Sequence, residues 1–229
     1  MSLKESLKNE SRQEKEKLKK MTWSDRIWYI WEYYKLHMLG LAGVILVFYI
    51  IGTIFYNKSF TSQLSYVVVN DPQRAVADYE PLNQDFKEQM GYGEKDTINA
   101  DGSMSMQQGG GFASEMDYAN MAKLSAQVAS KELDMMIADQ SNIDHYASLD
   151  GFLDLEQALP ADLWQELQDS IYYAKDESGN EFACAINLSD SRFPEETGNG
   201  LDPCYMGIIN NTEHIDTIIA WIRFVWNPA

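Results

Sequence analysis

MLGLAGVILVFYIIGTIFY, Met38 to Tyr56, runs nineteen residues with no ionisable side chain other than its two tyrosines. At ~1.5 Å rise per residue a helix of that length matches the ~30 Å hydrocarbon core of a bilayer, and a helix satisfies its own backbone where water is absent. The stretch therefore reads as a membrane span, and it divides the chain into two chemically opposite parts.

Before the span, Met1 to Lys35 carry nine Lys/Arg against six acids, a balance of +3; after it, Tyr56 to Ala229 carry nine against twenty-nine, a balance of −20. Basic flanks stay on the cytoplasmic side, so the expected topology is a single pass of the cell membrane with the N-terminus cytoplasmic and the C-terminal domain extracytoplasmic. The acidic outer part repels phosphate and argues against nucleic acid as a partner. A cleaved signal peptide would have a short basic head, a core of ~7–15 residues and a small-residue cleavage site. Here the head is thirty-five residues and Phe55-Tyr56-Asn57-Lys58 has no small pair, so an uncleaved anchor is expected.

Working outward, Met1 to Lys20 is a solvated head; Lys15, Lys17, Lys19 and Lys20 either meet anionic lipid or simply set topology. From Thr22, Trp23, Ile27, Ile30, Trp31 and Tyr34 recur at three and four, the spacing of one helix face, with Thr22 and Asp25 as cap. Trp28, Tyr29 and Tyr33 join them, and such rings favour the headgroup layer. Gly40 and Gly43 lack GxxxG spacing, so no dimerisation face is assigned. The division is thus residues 1–35 head and aromatic helix, 36–56 span, 57–62 tether, and 63–229 an outer domain large enough for one hydrophobic core.

That outer domain is expected to be α/β. Gln63 to Asn70 ends in a Val run that reads as a buried strand, and Tyr79 to Met90 as a helix with Pro81 in its first turn. A short strand is expected near Thr97 to Ala100, followed by a mobile loop through Gly109-Gly110-Gly111. Ser114 to Lys131 reads as a helix and Leu133 to Ala138 as a second buried strand, with Ser141 capping a helix over Asn142 to Ser148. This alternation implies a parallel sheet covered by helices. Beyond it come a helix from Pro160 to Ser170, a hairpin of Ile171–Lys175 with Glu181–Leu188, a polar loop over Ser189 to Pro203, a strand over Tyr205 to Asn210 and a helix over Thr212 to Trp226, whose stripe is Ile215, Ile218, Ile219 and Ile222.

The order of Tyr66-Val67-Val68-Val69, helix, Leu133-Asp134-Met135-Met136-Ile137-Ala138-Asp139, short helix and Gly151-Phe152-Leu153-Asp154-Leu155 resembles the first lobe of the extracellular solute-binding proteins of ABC importers. Tyr205 to Asn210 with the following helix resembles that family's late strand and helix. The resemblance implies a three-layer-like α/β lobe, one lobe of a periplasmic-binding-protein fold. Family members close two lobes on a ligand, and this domain has room for one. It resembles a single-lobe relative fixed to the membrane, suited to contacting a partner rather than enclosing a solute.

Chemistry follows from position more than from motif. The chain has no G-x-S-x-G, no H-E-x-x-H and no Cys-x-x-Cys, and His37, His145 and His214 are scattered. No cofactor or metal is expected: Asp150, Asp154 and Glu156 lack the spacing of a calcium loop, and His145 reads as a half-exposed helix histidine. Parallel strands gather loops and helix N-termini at their carboxyl ends, which places candidate ligand-binding residues at Asn70, Asp71, Asp139, Gln140 and Ser141, equally readable as turn residues and a cap. Cys184 and Cys204 are either a disulfide or two buried thiols. The expected function is a membrane-anchored binding or interaction module, or an accessory subunit of a transport or envelope complex, ahead of a hydrolytic or redox enzyme built on His145 or the cysteines. Its expected partners are the lipid bilayer, other envelope proteins and a small solute.

Overall fold

The computed structural model describes residues 22–57, 59–106 and 114–226. The head Met1 to Lys20, Lys58 of the tether and the loop with Gly109-Gly110-Gly111 lie outside the described residues, as do the side chains of Tyr29, Ile30, Tyr33, Tyr34 and His37. The chain forms two units, Met1–Ser59 and Phe60–Ala229.

In the first unit, the aromatic segment and the apolar stretch form one continuous helix, α1 (Trp23–Asn57). Thr22 starts it as expected: its hydroxyl donates to Asp25 Oδ2 at 2.5 Å and accepts from the Asp25 amide at 3.4 Å. Thirty-five residues reach about 52 Å, longer than the ~30 Å of a bilayer core, so the helix also carries its exposed tryptophans Trp23, Trp28 and Trp31 beyond an apolar section. That section, Met38–Tyr56, is long and apolar enough to cross a membrane, and none of it is buried by the protein. Within it the Thr53 hydroxyl donates to the Tyr49 carbonyl at 2.9 Å, so its polarity is satisfied inside the helix.

The second unit is a mixed α/β domain built on one six-stranded sheet, in the order β2-β1-β3-β6-β5-β4. β1 (Thr61–Val69) lies between β2 (Asp96–Met104) and β3 (Met135–Ala138), parallel to both. β6 (Tyr205–Ile208) is antiparallel to β3 and to β5 (Glu181–Asn187), which forms the expected hairpin with β4 (Ile171–Lys175). The parallel trio is the part joined through α2 (Glu80–Gln89) and α3 (Glu115–Ala129), because parallel neighbours need crossovers.

Side chains alternate across the sheet and divide the core in two. Leu64, Tyr66 and Val68 of β1 face a cluster with Leu82 and Phe86 of α2, and with Trp221 and Ile222 of α8 (Ile215–Trp226). Val67 and Val69 face the other, with Leu124 of α3 and Ile143 of α4 (Gln140–Ala147). Helices on both faces make three layers. Both clusters are drawn wholly from Phe60–Ala229, so this unit carries its own core, as an independent domain does. Of the expected α8 stripe, Ile218 and Ile222 are completely buried, and Trp221 and Val225 join them.

Four expectations are corrected. β1 begins at Thr61, inside the expected tether, because Thr61 and Ser62 already pair with Asp96 and Thr97. β2 continues to Met104 in place of an early loop; Gly102 lies where a Cβ would meet the Tyr79 ring at 2.5 Å, so its missing side chain serves a close approach. Pro160 to Ser170 is broken into α6 (Ala161–Glu166) and a 3-10 turn (Gln168–Ser170), preceded by the single turn α5 (Leu155–Ala158). The polar segment Ser189 to Pro203 contains α7 (Arg192–Thr197), capped by the Ser191 hydroxyl, and its Phe193 is fully buried against Tyr66, Tyr79 and Trp221.

Candidate functional site

The carboxyl ends of β1 and β3 do bring Asn70 and Asp139 together. Asn70 leaves β1 in the left-handed region (φ 61°), which asparagine tolerates. Its Nδ2 donates to Asp139 Oδ2 at 2.6 Å and to the Met106 carbonyl at 2.8 Å, while its Oδ1 accepts from the Met106 amide at 2.8 Å. Asp139, not Ser141, caps α4: its Oδ1 accepts from the Asn142 amide at 2.9 Å, and Ser141 sits exposed within the helix.

Asp71 goes elsewhere. It is 1 % exposed; Oδ1 accepts from the Gln73 and Gly200 amides at 2.8 and 2.9 Å, and Oδ2 from the Tyr79 hydroxyl at 2.8 Å. This carboxylate clamps the segment after α7 to the end of β1. A shallow depression of about 490 Å³ lies over Asn70, Asp71, Arg74 and Ser105, but the Asp71 carboxylate that lines it is already held by donors of the protein. Of the five candidate residues, two form one structural junction, Asp71 is a clamp, Gln140 donates to the Tyr172 hydroxyl at 2.8 Å, and Ser141 faces solvent.

Two polar groups were missed in the sequence. Tyr172 donates to Asp144 Oδ1 at 2.8 Å and packs on Tyr205 with ring centroids 4.4 Å apart. Burial, together with the neighbouring Asp144 carboxylate, pushes its phenol up to about 12, so it stays protonated as a donor. At the amino-terminal end of the interior strand β3, Asp134, 1 % exposed, accepts from the Ser65 amide of β1 at 2.8 Å and the Thr212 hydroxyl at 2.6 Å, and His214 turns Nδ1 to it at 3.0 Å. A polar pocket of about 360 Å³ opens there, beside Asn99 and Lys131. An oriented imidazole is half of a base-catalysed site, yet among the described residues no hydroxyl is hydrogen-bonded to its other nitrogen, and the pair serves to tie β1, β3 and the start of α8 together.

The remaining candidates are structural. Cys184 and Cys204 are free and buried, one in each core cluster, so of the two readings open in the sequence the structure has two thiols rather than a disulfide. Asp154 caps α5 through the Glu156 amide at 3.2 Å, and Asp150 accepts from the Glu177 amide at 3.2 Å. Among the described residues no group of three or more His, Cys, Asp or Glu could hold a metal. His145 is half-buried, edge-on to Tyr146 at 5.1 Å.

The second face of the sheet carries an apolar groove of about 300 Å³ between α3 and the turn that follows α4. Met136, Phe152 and Ile209 form its floor, Leu124 and Val128 one wall, and Leu149 the other. Leu149 is 59 % exposed and forms the rim of this groove. Compared with known proteins, the chain finds no match: no family model, no curated protein and no solved structure.

Proposed function

We propose that the protein is a single-pass, membrane-anchored interaction module whose outer lobe contacts a protein partner of the envelope, as an accessory subunit would. The observation that carries this reading is the pairing of an unburied apolar helix, Met38–Tyr56, with a unit that holds its own two-sided core. A bilayer supplies the apolar surround that such a helix requires. The basic flank puts the head in the cytoplasm and the acidic lobe outside.

A partner protein suits the lobe better than an enclosed solute. The carboxylates at the strand ends are held by the protein's own donors, and a single lobe has nothing to close against. The parallel trio β2-β1-β3 and the return of β6 and α8 to its flank support a lobe like that of a solute-binding protein, with the contact function separated from transport.

Site-directed photocrosslinking in sealed native vesicles tests this. Probes on the lobe surface should trap discrete protein bands, external protease should remove the lobe, and a solute panel should leave the lobe's Tm unchanged. Protease protection of the lobe would overturn the topology, and a solute that raises Tm would replace the module with a solute binder.

A further inference from the structure

The groove between α3 and the turn after α4 is the apolar surface with a floor, two walls and an exposed rim. At about 300 Å³ it lies at the small end of ligand pockets, room for one or two side chains of a larger partner.

Charge decides among occupants. Asp150, exposed between the lining residues Leu149 and Gly151, accepts from the Glu177 main-chain amide, so two acidic residues of the chain meet next to the groove. The cations nearest the α3 wall are both paired: Lys123 Nζ donates to Asp101 Oδ2 at 2.6 Å, and Lys131 pairs with Glu213. No Lys or Arg occurs from Gln140 to Phe152. A second copy of the lobe would bring another twenty-one surplus negative charges, and an anionic lipid surface would be repelled likewise. The chain's own basic head lies on the other side of the membrane in the topology proposed above.

We infer that the groove receives a cationic amphipathic helix of a partner protein, whose apolar side chains at i and i+4 enter between Val128 and Leu149 while its Lys/Arg flanks meet Asp150 and Glu177. This rests on the interaction-module reading and names its docking surface. The floor is preformed, since Phe152 packs over Gly207, where a Cβ would meet its ring at 2.6 Å; the groove therefore needs no rearrangement to accept a side chain.

The test uses the Phe60–Ala229 unit, which carries its own core, and a fluorescein-labelled fourteen-residue helix of Leu and Lys as the probe, with Leu/Ser and Leu/Glu versions. Fluorescence anisotropy should show the Leu/Lys peptide binding about tenfold or more tighter than the Leu/Glu peptide, with the advantage shrinking at high salt. Leu149→Asp on one wall and Ser125→Asp on the other add negative charge, so general attraction would strengthen binding, whereas docking in the groove predicts a loss of about tenfold. Val76→Asp, at an exposed position outside the groove lining, should leave binding unchanged. Equal binding of the Leu/Glu peptide, or tighter binding by both wall variants with unchanged circular dichroism, overturns the groove as the site. The vesicle crosslinks separate the two failures: crosslinks that persist in Leu149→Asp alongside a failed peptide test remove the groove and leave the module, while absence of any crosslink removes both.

Discussion

Asn70 and Asp139, sixty-nine residues apart in the chain, are joined by a 2.6 Å hydrogen bond from Nδ2 to Oδ2 that fastens the end of β1 to the start of α4. One side chain there serves two ends: Asn70 also holds both main-chain groups of Met106, and it does so from a left-handed backbone.

Replacing it separates backbone from side chain. Asn70→Ala loses the hydrogen bonds and leaves an alanine at φ 61°, for a cost of about 2–4 kcal/mol. Asn70→Gly loses the same bonds without the backbone strain and should cost about 1–2 kcal/mol. Urea unfolding of the outer unit reads both; a glycine variant less stable than the alanine variant would refute the left-handed strain account.

The Asp134 junction should respond asymmetrically. Asp134→Ala strands the buried Ser65 amide and removes the acceptor for Thr212 and His214, at about 3–5 kcal/mol. His214→Ala removes a half-exposed partner and leaves two donors on the carboxylate, so its cost should be about 1 kcal/mol. Equal losses for the two substitutions, measured by the same unfolding curves, would show that the imidazole matters as much as the carboxylate in organising this junction.

Local patterns made much of this architecture legible. The apolar length of Met38 to Tyr56, the Val run of β1, Pro81 in the first turn of α2 and the helix-forming run from Ser114 each lie within a few residues of what they determine. The site was less legible because its partners are distant: Asp71 meets Gly200 across 129 residues and Asp134 meets His214 across 80. Asp139 and Ser141 are both good N-caps by type, and the long-range bond to Asn70 favours the aspartate. α7 was hidden for a related reason: Phe193, its fully buried anchor, stands in a mostly polar segment with too little periodicity to reveal a helix.

The cysteines give a chemical test of burial. Burial pushes both thiols up to about 12, so at pH 8 both remain protonated and inert. The folded outer unit should react with neither iodoacetamide nor a disulfide indicator, both thiols should titrate on unfolding in guanidinium, and mobility should be the same with and without reductant. Rapid modification of either thiol in the native unit would contradict its placement in the core.

Asp101 carries a defined acid dependence. Burial alone would raise its carboxyl, but the Lys123 ammonium at 2.6 Å and the Ser103 hydroxyl and amide outweigh that and hold it below the usual carboxylate value. A lowered folded value means a contribution that is present above the unfolded pKa of about 3.9 and lost as pH falls through the folded one. Asp101 is partly buried and Lys123 half exposed, so the pair should contribute about 1 kcal/mol or less. The stability difference between the native sequence and Asp101→Asn, from urea curves at successive pH values, should be level above about pH 5 and shrink below about pH 4. Taking the difference cancels the rest of the lobe's large negative charge, whose self-repulsion also changes on acidification. A difference that stays constant down to pH 3 would show that Asp101 stabilises β2 through its neutral hydrogen bonds to Ser103 and not through its charge.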